Sequence, residues 1–340
     1  MQTQRPIVGI DLGGTNMQVG VVRPDAREVG AEGAILGQYR QKTKAAEGFD
    51  EVIDRLFKAV ERACEDADVK LSDLGAVGIG APGAIDPHTG TVLEAVNLRW
   101  TDVPLAKILT ERFGVPTVVD NDVNAAVYGE WVLGSAQGAK EVLGVWVGTG
   151  IGGALILNGQ LYRGHFLTAG EIGHMLLFPR NPPGTRSLEH NCSRSTVVTR
   201  IVRLIMANRE SSLSEITNER YERVKSKALA TAYHDGDELT REVIDDAADL
   251  LGGSIGGIVT LLSLEKVVLG GGLTEAIGDP FVERVRKATR EIAFPAKCKD
   301  VEVVASALLD DAGLVGAAML AIDRLGTPEG AQAASSIAET

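Results

Sequence analysis

The stretch that decides the fold is Asp11-Leu12-Gly13-Gly14-Thr15-Asn16, near the start of the 340-residue chain. It follows the apolar run 7–10 and precedes a second apolar run, 19–22. A strand, a Gly-Gly turn and a returning strand form a hairpin whose tip exposes backbone N–H groups, which suit phosphate oxygens. A carboxylate at the end of the first strand, Asp11, can hold Mg²⁺ directly or through water. The alternative is an ordinary tight hairpin that needs glycine only for its positive φ.

The same pattern occurs again in the middle of the chain. The apolar run 142–147 leads into Gly148-Thr149-Gly150-Ile151-Gly152-Gly153, and residues 154–157 form the returning strand. This repeat predicts two α/β lobes of similar topology, each a mixed sheet with helices on its faces. A cleft between two such lobes is where we expect a ligand to bind.

The predicted lobes are unequal in size. Residues 1–120 together with 313–326 are expected to form the smaller lobe, 121–312 the larger lobe, and 327–340 a flexible tail. In the smaller lobe, apolar residues at helical spacing predict a helix over 48–66. The larger lobe is expected to contain three long helices, near 195–208, 217–234 and 237–263.

Composition is typical of a globular protein, with 44% apolar and 24% charged residues. A net charge of −12 argues against a surface that binds nucleic acid or polyphosphate. Three widely spaced cysteines without a CxxC pair indicate neither a disulfide framework nor a thiolate zinc site. The sequence shows no signal peptide and no apolar run of membrane-spanning length. We therefore expect a soluble cytoplasmic protein that binds neither nucleic acid nor a membrane.

With both glycine turns in view, the chain resembles the ROK family of sugar kinases (repressor, open reading frame, kinase), which belongs to the actin-like ATPase superfamily. Five motifs carry the resemblance over nearly the whole chain: Ile10-Asp11-Leu12-Gly13-Gly14-Thr15-Asn16 (first phosphate motif), Asp120-Asn121-Asp122-Val123-Asn124-Ala125 (sugar site), Gly148-Thr149-Gly150-Ile151-Gly152-Gly153 (second phosphate motif), Ala169-Gly170-Glu171-Ile172-Gly173-His174 (sugar site) and Val268-Leu269-Gly270-Gly271-Gly272 (adenosine motif). The resemblance implies a two-lobed actin-like, ribonuclease H-like fold. It also implies ATP-dependent phosphorylation of a hexose, with glucose at O6 as the first expectation.

By this resemblance Asp122 is the base that takes the proton from the sugar hydroxyl. The residues alone leave an alternative, in which Asp122 only caps the helix that follows it. The implied sugar-binding residues are Gly83, Asn97, Asn121, Asp122, Glu171, His174 and Glu189. For His174 two alternatives stay open: capping by local backbone, or metal ligation together with Glu171, whose Glu-x-x-His spacing suits two ligands.

On the donor side, the resemblance implies that both glycine turns contact phosphates and that Asp11 positions Mg²⁺. The implied nucleotide-binding residues are Asp11, Gly13, Gly14, Thr15, Asn16, Gly148, Thr149, Gly150, Gly270, Gly271 and Gly272. No GxxxxGK[ST] stretch is present, so a P-loop is excluded. The alternative for 270–272 is a tight strand-to-helix turn without a ligand.

The chain departs from its family in the segment 181–192. Many ROK proteins carry a zinc knot, CxCGxxGCxE, in this region, but here Leu188-Glu189 is preserved and the three cysteines are missing. Cys192, His174 and His190 remain, but their spacing is unlike that of a structural zinc site. We therefore predict that the protein binds no zinc.

Without the zinc knot, the orientation of His174 and Glu189 must depend on packing and on the stiffness of Pro182-Pro183. This departure leaves the choice of sugar open. The alternatives are an N-acetylmannosamine, N-acetylglucosamine or fructose kinase, a polyphosphate-dependent glucokinase, and a sugar-sensing regulator without catalysis. Because the first strand begins at residue 7, we expect no N-terminal helix-turn-helix domain, which favours the enzyme.

We also expect a homodimer or homotetramer, since oligomers are common in the family. The predicted helix 237–263 carries Gly252-Gly253 and Gly256-Gly257, a small-residue face. Such a face suits either the core of a lobe or a seam between two copies, and the sequence leaves both open.

Overall fold

The computed structural model describes residues 5–326, and the predicted tail 327–340 lies outside these residues. The described residues form two compact units. The first unit comprises 5–138, 163–169 and 310–326, and the second comprises 139–162 and 170–309.

The described chain contains thirteen strands. They are β1 (Ile7–Leu12), β2 (Asn16–Val22), β3 (Ile35–Lys42), β4 (Ala76–Ala81), β5 (Ala84–Asp86), β6 (Thr91–Ala95), β7 (Trp100–Val103), β8 (Thr117–Asn121), β9 (Val142–Val147), β10 (Ile151–Leu157), β11 (Gln160–Tyr162), β12 (Lys266–Gly270) and β13 (Glu302–Ala305).

The two main sheets have the same topology. In the first unit the strand order is β3-β2-β1-β4-β8, and in the second it is β11-β10-β9-β12-β13. In the first sheet β1, β2 and β3 pair antiparallel, and β4 and β8 run parallel to β1. In the second sheet β9, β10 and β11 pair antiparallel, and β12 and β13 run parallel to β9. A small antiparallel sheet, β5-β6-β7, adds to the first unit. The repeat predicted from the two glycine turns is therefore present as a repeated mixed sheet.

The described chain also contains thirteen α-helices. They are α1 (Ala26–Val29), α2 (Ala31–Ala34), α3 (Phe49–Asp66), α4 (Leu105–Phe113), α5 (Asp122–Leu133), α6 (Glu189–Cys192), α7 (Arg194–Met206), α8 (Leu213–Ile216), α9 (Ser226–His234), α10 (Glu238–Leu262), α11 (Gly272–Ile277), α12 (Asp279–Ile292) and α13 (Ala312–Leu325). None of these described helices has the length and apolar character that crossing a membrane requires.

The predicted helix 217–234 is wrong in its first half. Helix α8 ends at Ile216, and the next α-helix, α9, begins only at Ser226. Asn218 and Glu219 have φ angles of 50° and 57°, which are left-handed and cannot continue a right-handed helix. The Thr217 hydroxyl bonds back to the carbonyl of Leu213 at 2.7 Å, a local bond that competes with helix continuation.

Helix α13 lies directly on the first sheet. A Cβ atom at Gly9 would lie 1.9 Å from the carbonyl oxygen of Leu314, and one at Gly78 would lie 1.9 Å from that of Ala317. Only glycine permits this approach, because any side chain would push the helix off the sheet. This packing places the first turn of α13 against the carboxyl end of β1.

Helix α5 belongs to the first unit, although the predicted boundary assigned residues 121–138 to the larger lobe. The reason is a backbone-to-backbone contact with α13. A Cβ atom at Gly316 would lie 1.7 Å from the carbonyl oxygen of Ala125, and one at Gly129 would lie 2.6 Å from that of Ala312.

The small-residue face of α10 is part of the core of the second unit. A Cβ atom at Gly252 would lie 2.5 Å from the Val285 carbonyl oxygen, and one at Gly256 would lie 2.7 Å from that of Thr289. Both contacts are with α12. At Gly257 no atom would lie within 4 Å, so this glycine faces away from the helix pair.

Candidate functional site

The first glycine loop joins β1 to β2 and is held by backbone and side-chain hydrogen bonds. The Gly13 N–H donates to the carbonyl of Asn16 at 2.9 Å. Thr43, which is fully buried, donates its hydroxyl to the Gly13 carbonyl at 2.6 Å and its N–H to the Thr15 carbonyl at 3.0 Å. The Lys42 ammonium donates to Asn16 Oδ1 at 2.9 Å. The sequence analysis missed Thr43, because it lies at the end of a strand that only the tertiary fold brings to the loop.

Asp11, at the end of β1, lies in an environment that disfavours its charge. Burial and the nearby Asp122 carboxylate raise the pKa of Asp11 to about 7, with Asp310 acting in the same direction and Arg40 against it. The first turn of α13 backs onto this side chain, since a Cβ at Gly313 would lie 2.7 Å from Asp11 Cγ. Two carboxylates therefore interact at this end of the sheet, and a cation would relieve their repulsion.

These carboxylates fit Mg²⁺ bound together with a substrate. Mg²⁺ usually keeps several waters and takes one or two protein carboxylates plus substrate phosphates. Within residues 5–326 no group of three or more His, Cys, Asp and Glu side chains is arranged to hold a metal. The donor set thus suits a substrate-linked ion rather than a protein cage, and the role of Asp11 as its ligand stays a prediction.

Asp122 is the first residue of α5, and the alternative that it caps this helix is wrong. The cap is Asn121, whose Oδ1 accepts hydrogen bonds from the N–H groups of Val123 at 2.9 Å and Asn124 at 3.1 Å. Asp122 is half-buried, and its Oδ1 accepts the Val123 N–H at 2.9 Å. A carboxylate in the first turn is favoured by the helix dipole.

The strand end before Asp122 is fixed by a buried ion pair. Asp120 is 2% exposed, and its Oδ2 accepts hydrogen bonds from Nε of Arg163 at 3.0 Å and from Nη2 of the same guanidinium. Its Oδ1 accepts the Asn121 N–H at 2.9 Å. Burial lowers the pKa of the neighbouring Arg324, and the charge of Arg163 adds to this effect. The ion pair of Asp120 with Arg163 restrains the backbone next to Asp122.

The predicted sugar residues of the first unit make two separate contacts, one between Asn121 and Gly83 and one between Asn97 and the first glycine loop. The Asn121 amide donates to the Gly83 carbonyl at 3.1 Å. Gly83 has a φ of +92°, and a Cβ there would lie 2.0 Å from the carbonyl oxygen of Glu94. Asn97 follows two residues after the end of β6, and a Cβ at Gly14 would lie 2.9 Å from Asn97 Cβ. Asn121 thus contacts Gly83, and Asn97 lies against the first glycine loop.

The second glycine loop, between β9 and β10, is braced by Glu189. The Gly148 N–H donates to the carbonyl of Gly150 at 2.9 Å. The Glu189 carboxylate accepts the Ile151 N–H at 2.9 Å, and a Cβ at Gly150 would lie 2.3 Å from Glu189 Oε2. This oxygen of Glu189 is thus engaged by the loop, and its sugar contact stays a prediction.

Glu171 directly precedes a 3₁₀ turn, Ile172–His174, that ends at His174 and packs on β10. A Cβ at Gly173 would lie 2.2 Å from the carbonyl oxygen of Ile151. The His174 ring is 3.9 Å from the Glu171 carboxylate, and both side chains are exposed, at 74% and 50%. Within the described chain, the contact of the ring is with this carboxylate rather than with backbone. Their sugar-binding role stays a prediction.

The segment that replaces the zinc knot is held by backbone pairing. The Leu177 N–H donates to the Arg186 carbonyl at 2.8 Å, and the Leu188 N–H donates to the Met175 carbonyl at 2.9 Å. We expected the stiffness of Pro182-Pro183 and packing to hold this segment. The structure adds a single antiparallel bridge between Leu176 and Ser187, which lies just before Glu189.

Cys192 is poorly suited to bind zinc. It is 1% exposed, and burial raises the pKa of its thiol to about 12. A zinc ligand must be a thiolate, which this environment disfavours. His190 Nδ1 lies 2.9 Å from the Ser187 hydroxyl. The absence of zinc nevertheless stays a prediction.

The adenosine motif lies beside the second glycine loop. Gly270 pairs with Trp146 in parallel strands, and a Cβ at Gly270 would lie 2.6 Å from the Trp146 ring. Gly271 has a φ of +85°, and a Cβ there would lie 2.7 Å from the Val147 nitrogen. Both motifs occupy the carboxyl ends of neighbouring parallel strands, a common ligand position in α/β sheets. The alternative of a simple tight turn is equally consistent with this φ.

Arg194 is a residue of this region that the sequence analysis missed. Its Nη2 donates to Thr149 Oγ1 at 2.8 Å, its Nη1 to Ser226 Oγ at 3.2 Å, and its backbone N–H to the Gly148 carbonyl at 3.0 Å. It opens α7 directly after the capping Ser193. A cation in the first turn of a helix opposes the helix dipole, and that anomaly is the signal that could have pointed to it.

The predicted site residues thus divide between the two units. The first unit holds Asp11, Gly13, Gly14, Thr15, Asn16, Gly83, Asn97, Asn121 and Asp122, and the second holds Gly148, Thr149, Gly150, Glu171, His174, Glu189, Gly270, Gly271 and Gly272. Within each unit the structure brings these residues together around a glycine loop.

Comparison with known families agrees with this arrangement. A model of the ROK family matches residues 7–324. The chain belongs to the ROK family. This ROK chain is 31% identical to a glucokinase from Thermotoga maritima, covering 94% of the chain and 98% of the relative. It is 29% identical to a putative xylose repressor from Caldicellulosiruptor sp., covering 95% of the chain and 80% of the relative.

Among solved structures, the ROK chain is similar to a ROK family glucokinase from Streptomyces griseus in complex with glucose and AMPPNP. The two share 30% identity with a TM-score of 0.82, covering 94% of this chain and 99% of the other. The predicted family and the actin-like fold are therefore confirmed.

Proposed function

We propose that this chain is a kinase that transfers the terminal phosphoryl group of ATP to a hexose, with glucose at O6 as the first substrate. The observation that carries the proposal is the position of Asp122, a half-buried carboxylate that interacts with Asp11 beside the first glycine loop. The similarity to glucokinases, one of them bound to glucose and AMPPNP, supports both the donor and the acceptor.

In this proposal Asp122 accepts the proton of the sugar hydroxyl as the hydroxyl oxygen forms a bond to the terminal phosphorus of ATP. The bond from that phosphorus to the bridging oxygen breaks, and ADP leaves. Phosphoryl transfer passes through a loose transition state, so the main tasks of the protein are to position the two substrates and to stabilise charge. Asn97 and Asn121 would orient the sugar beside Asp122, since amide groups both donate and accept hydrogen bonds. When bound, Mg²⁺ would neutralise phosphate charge, with Asp11 as its ligand.

The residues of the second unit have proposed roles as well. The backbone N–H groups of Thr149 and Gly150 would bind phosphate oxygens, Gly148 would let the phosphates approach the loop backbone closely, and 270–272 would contact adenosine. Glu171, His174 and Glu189 would contact the sugar. Glu189 contacts Ile151 at the start of β10, and Gly173, between Glu171 and His174, packs on the same residue, which supports a shared role.

We further propose a cytoplasmic homodimer or homotetramer. The free thiols of Cys64, Cys192 and Cys298 suit a reducing compartment, and ATP is an intracellular donor. Cell fractionation tests the location. Light scattering of the purified protein tests the assembly, and a mass near that of one chain would contradict it.

A coupled assay tests the activity. Glucose, fructose, N-acetylglucosamine and N-acetylmannosamine are offered with either ATP or polyphosphate as donor. We expect the highest kcat/KM with glucose and ATP. A preference for an N-acetylhexosamine or for polyphosphate would replace the substrate while leaving the kinase reaction in place.

The similarity to a putative xylose repressor favours one second candidate, a sugar-sensing regulator. Calorimetric titration with sugars separates the two functions. Sugar binding without phosphorylation of any sugar in the panel would favour the regulator.

A further inference from the structure

We propose that Arg194 binds the phosphates of the donor, and thus supplies the cation of the second glycine loop. The inference deepens the proposed function and rests on it. Neither the sequence motifs nor the family resemblance assigns a role to this residue.

The guanidinium lies between the two donor motifs of the second unit. One nitrogen donates to Thr149 in the glycine loop, and another donates to Ser226. A Cβ at Gly272, in the adenosine motif, would lie 3.4 Å from the same Ser226 hydroxyl. A phosphate chain that extends from one motif to the other would therefore pass the guanidinium.

The charge of Arg194 has no carboxylate partner among residues 5–326. Its side-chain bonds reach only two neutral hydroxyl groups, although a guanidinium carries five N–H donors. Hydroxyl groups orient the side chain but do not neutralise it. An oriented cation with spare donors matches the oxygens of a phosphoanhydride, which arginine binds with two parallel hydrogen bonds.

The helices around this point support an anion as the ligand. Helix α7 begins at Arg194, and α9 begins at Ser226, whose hydroxyl accepts a hydrogen bond from the guanidinium, so the N-terminus of α9 lies beside the guanidinium. Unsatisfied N–H groups at helix N-termini favour negative charge. A bound phosphate would also offset the unfavourable position of a cation in the first turn of α7.

The test compares Arg194→Gln and Arg194→Lys with wild type, and uses Arg200→Gln as the matched control. Arg200 lies on the same helix but is paired with Asp246 at 2.6 Å. Calorimetry measures the dissociation constants of adenosine, ADP, ATP and tripolyphosphate, and thermal unfolding confirms that each variant folds. Steady-state kinetics then gives KM for ATP and for the sugar.

We expect Arg194→Gln to raise the dissociation constants of ADP, ATP and tripolyphosphate by about tenfold or more, the usual loss for a hydrogen bond to a charged group. Adenosine binding and the KM for the sugar should stay within about twofold by the same reasoning, because neither ligand carries the phosphates. Arg194→Lys should restore part of the affinity, and Arg200→Gln should behave as wild type.

Two results would overturn the proposal: ATP binding unchanged in Arg194→Gln, or adenosine weakened as much as ATP, which would assign Arg194 a purely structural role. Failure of the proposed function is a separate result. If wild type phosphorylates no sugar while Arg194→Gln still loses ATP affinity, the result supports the role of Arg194 and contradicts the proposed kinase function. If wild type phosphorylates sugar and Arg194→Gln binds ATP normally, the result supports the kinase function and contradicts the role of Arg194.

Discussion

The two glycine loops have the same strand-turn-strand form, but their surroundings differ in charge. Beside the first loop the charged groups include two interacting carboxylates, Asp11 and Asp122, and burial raises the pKa of Asp11 to about 7. Beside the second loop, the carboxylate of Glu189 is occupied by a backbone N–H, and the guanidinium of Arg194 contacts the loop itself.

This difference shows that a repeated backbone motif can serve two chemical tasks. Both hairpins present N–H groups, because both turns are built from glycine. The first adds carboxylates, which suit a base and a Mg²⁺ ligand. The second adds a cation, which suits phosphate directly. The loops are therefore equivalent in topology and differ in which charged groups adjoin them, although each has both signs nearby: Lys42 donates to Asn16 in the first loop, and Glu189 accepts a hydrogen bond from the second.

The largest expected effect comes from removing the base beside the first loop. Asp122→Asn should lower kcat by about 10³-fold, in the usual range for a general base, while the sugar dissociation constant changes little. Steady-state kinetics and calorimetry measure the two quantities. Asp54→Asn, an exposed carboxylate on α3, is the control. Near-normal turnover in Asp122→Asn would remove this side chain from the mechanism.

The second prediction concerns the cost of burying Asp11. Its pKa is raised from 3.8 to about 7, so the native state holds the proton more tightly than the unfolded chain. Stability should therefore fall as pH rises from about 4 to 7, and the full penalty applies above pH 7. Asp11→Asn removes that penalty and should raise the free energy of unfolding by roughly 2–4 kcal/mol at pH 8.

Chemical denaturation of the metal-free and nucleotide-free protein at pH 4.5 and pH 8 tests this prediction. The increase in the free energy of unfolding of Asp11→Asn over wild type should be present at pH 8 and nearly absent at pH 4.5. Asp54→Asn again serves as the control, with no gain at either pH. A gain of equal size at both values would show that charge at Asp11 is not its cause.

The third prediction tests the helix packing in the unit that carries the second loop. Gly256→Ala should lower the free energy of unfolding by about 2 kcal/mol, because the new Cβ would lie 2.7 Å from the Thr289 carbonyl oxygen. The neighbouring Gly257→Ala meets no atom within 4 Å and should raise it by roughly 0.5–1 kcal/mol. Equal effects of the two substitutions would contradict the packing of α10 on α12.

The smallest effects separate the two loops from each other. Gly148→Ala introduces a Cβ whose nearest neighbour is 4.0 Å away, so folding should be unchanged. The added methyl group should raise KM for ATP by about threefold to tenfold, by obstructing phosphate. Gly14→Ala instead places a Cβ 2.9 Å from Asn97 and should raise KM for the sugar more than Gly148→Ala does. The same kinetic profile for both variants would remove the distinction between the loops.

Much of the fold could be predicted because its signals are local. The apolar spacing over 48–66 predicted α3 (Phe49–Asp66), and the two glycine turns predicted the repeated hairpins. The predicted helix 217–234 failed because Asn218 and Glu219 adopt left-handed backbone angles. Non-glycine residues rarely do so, and no nearby glycine or proline marks the break.

The sequence by itself determined the family and the order of the five motifs, since each motif is a short run of neighbouring residues. The role of Asp122 as the base stays a prediction from the family resemblance. Only the tertiary structure decided that Asn121 rather than Asp122 caps α5, and that Gly252 and Gly256 belong to a helix pair. It alone brought Arg194 to Thr149, 45 residues away in sequence. The physical reason is that hydrophobic periodicity and turn chemistry act over a few residues. The charge around a loop is set by side chains from distant segments, which meet only when the sheets and helices pack.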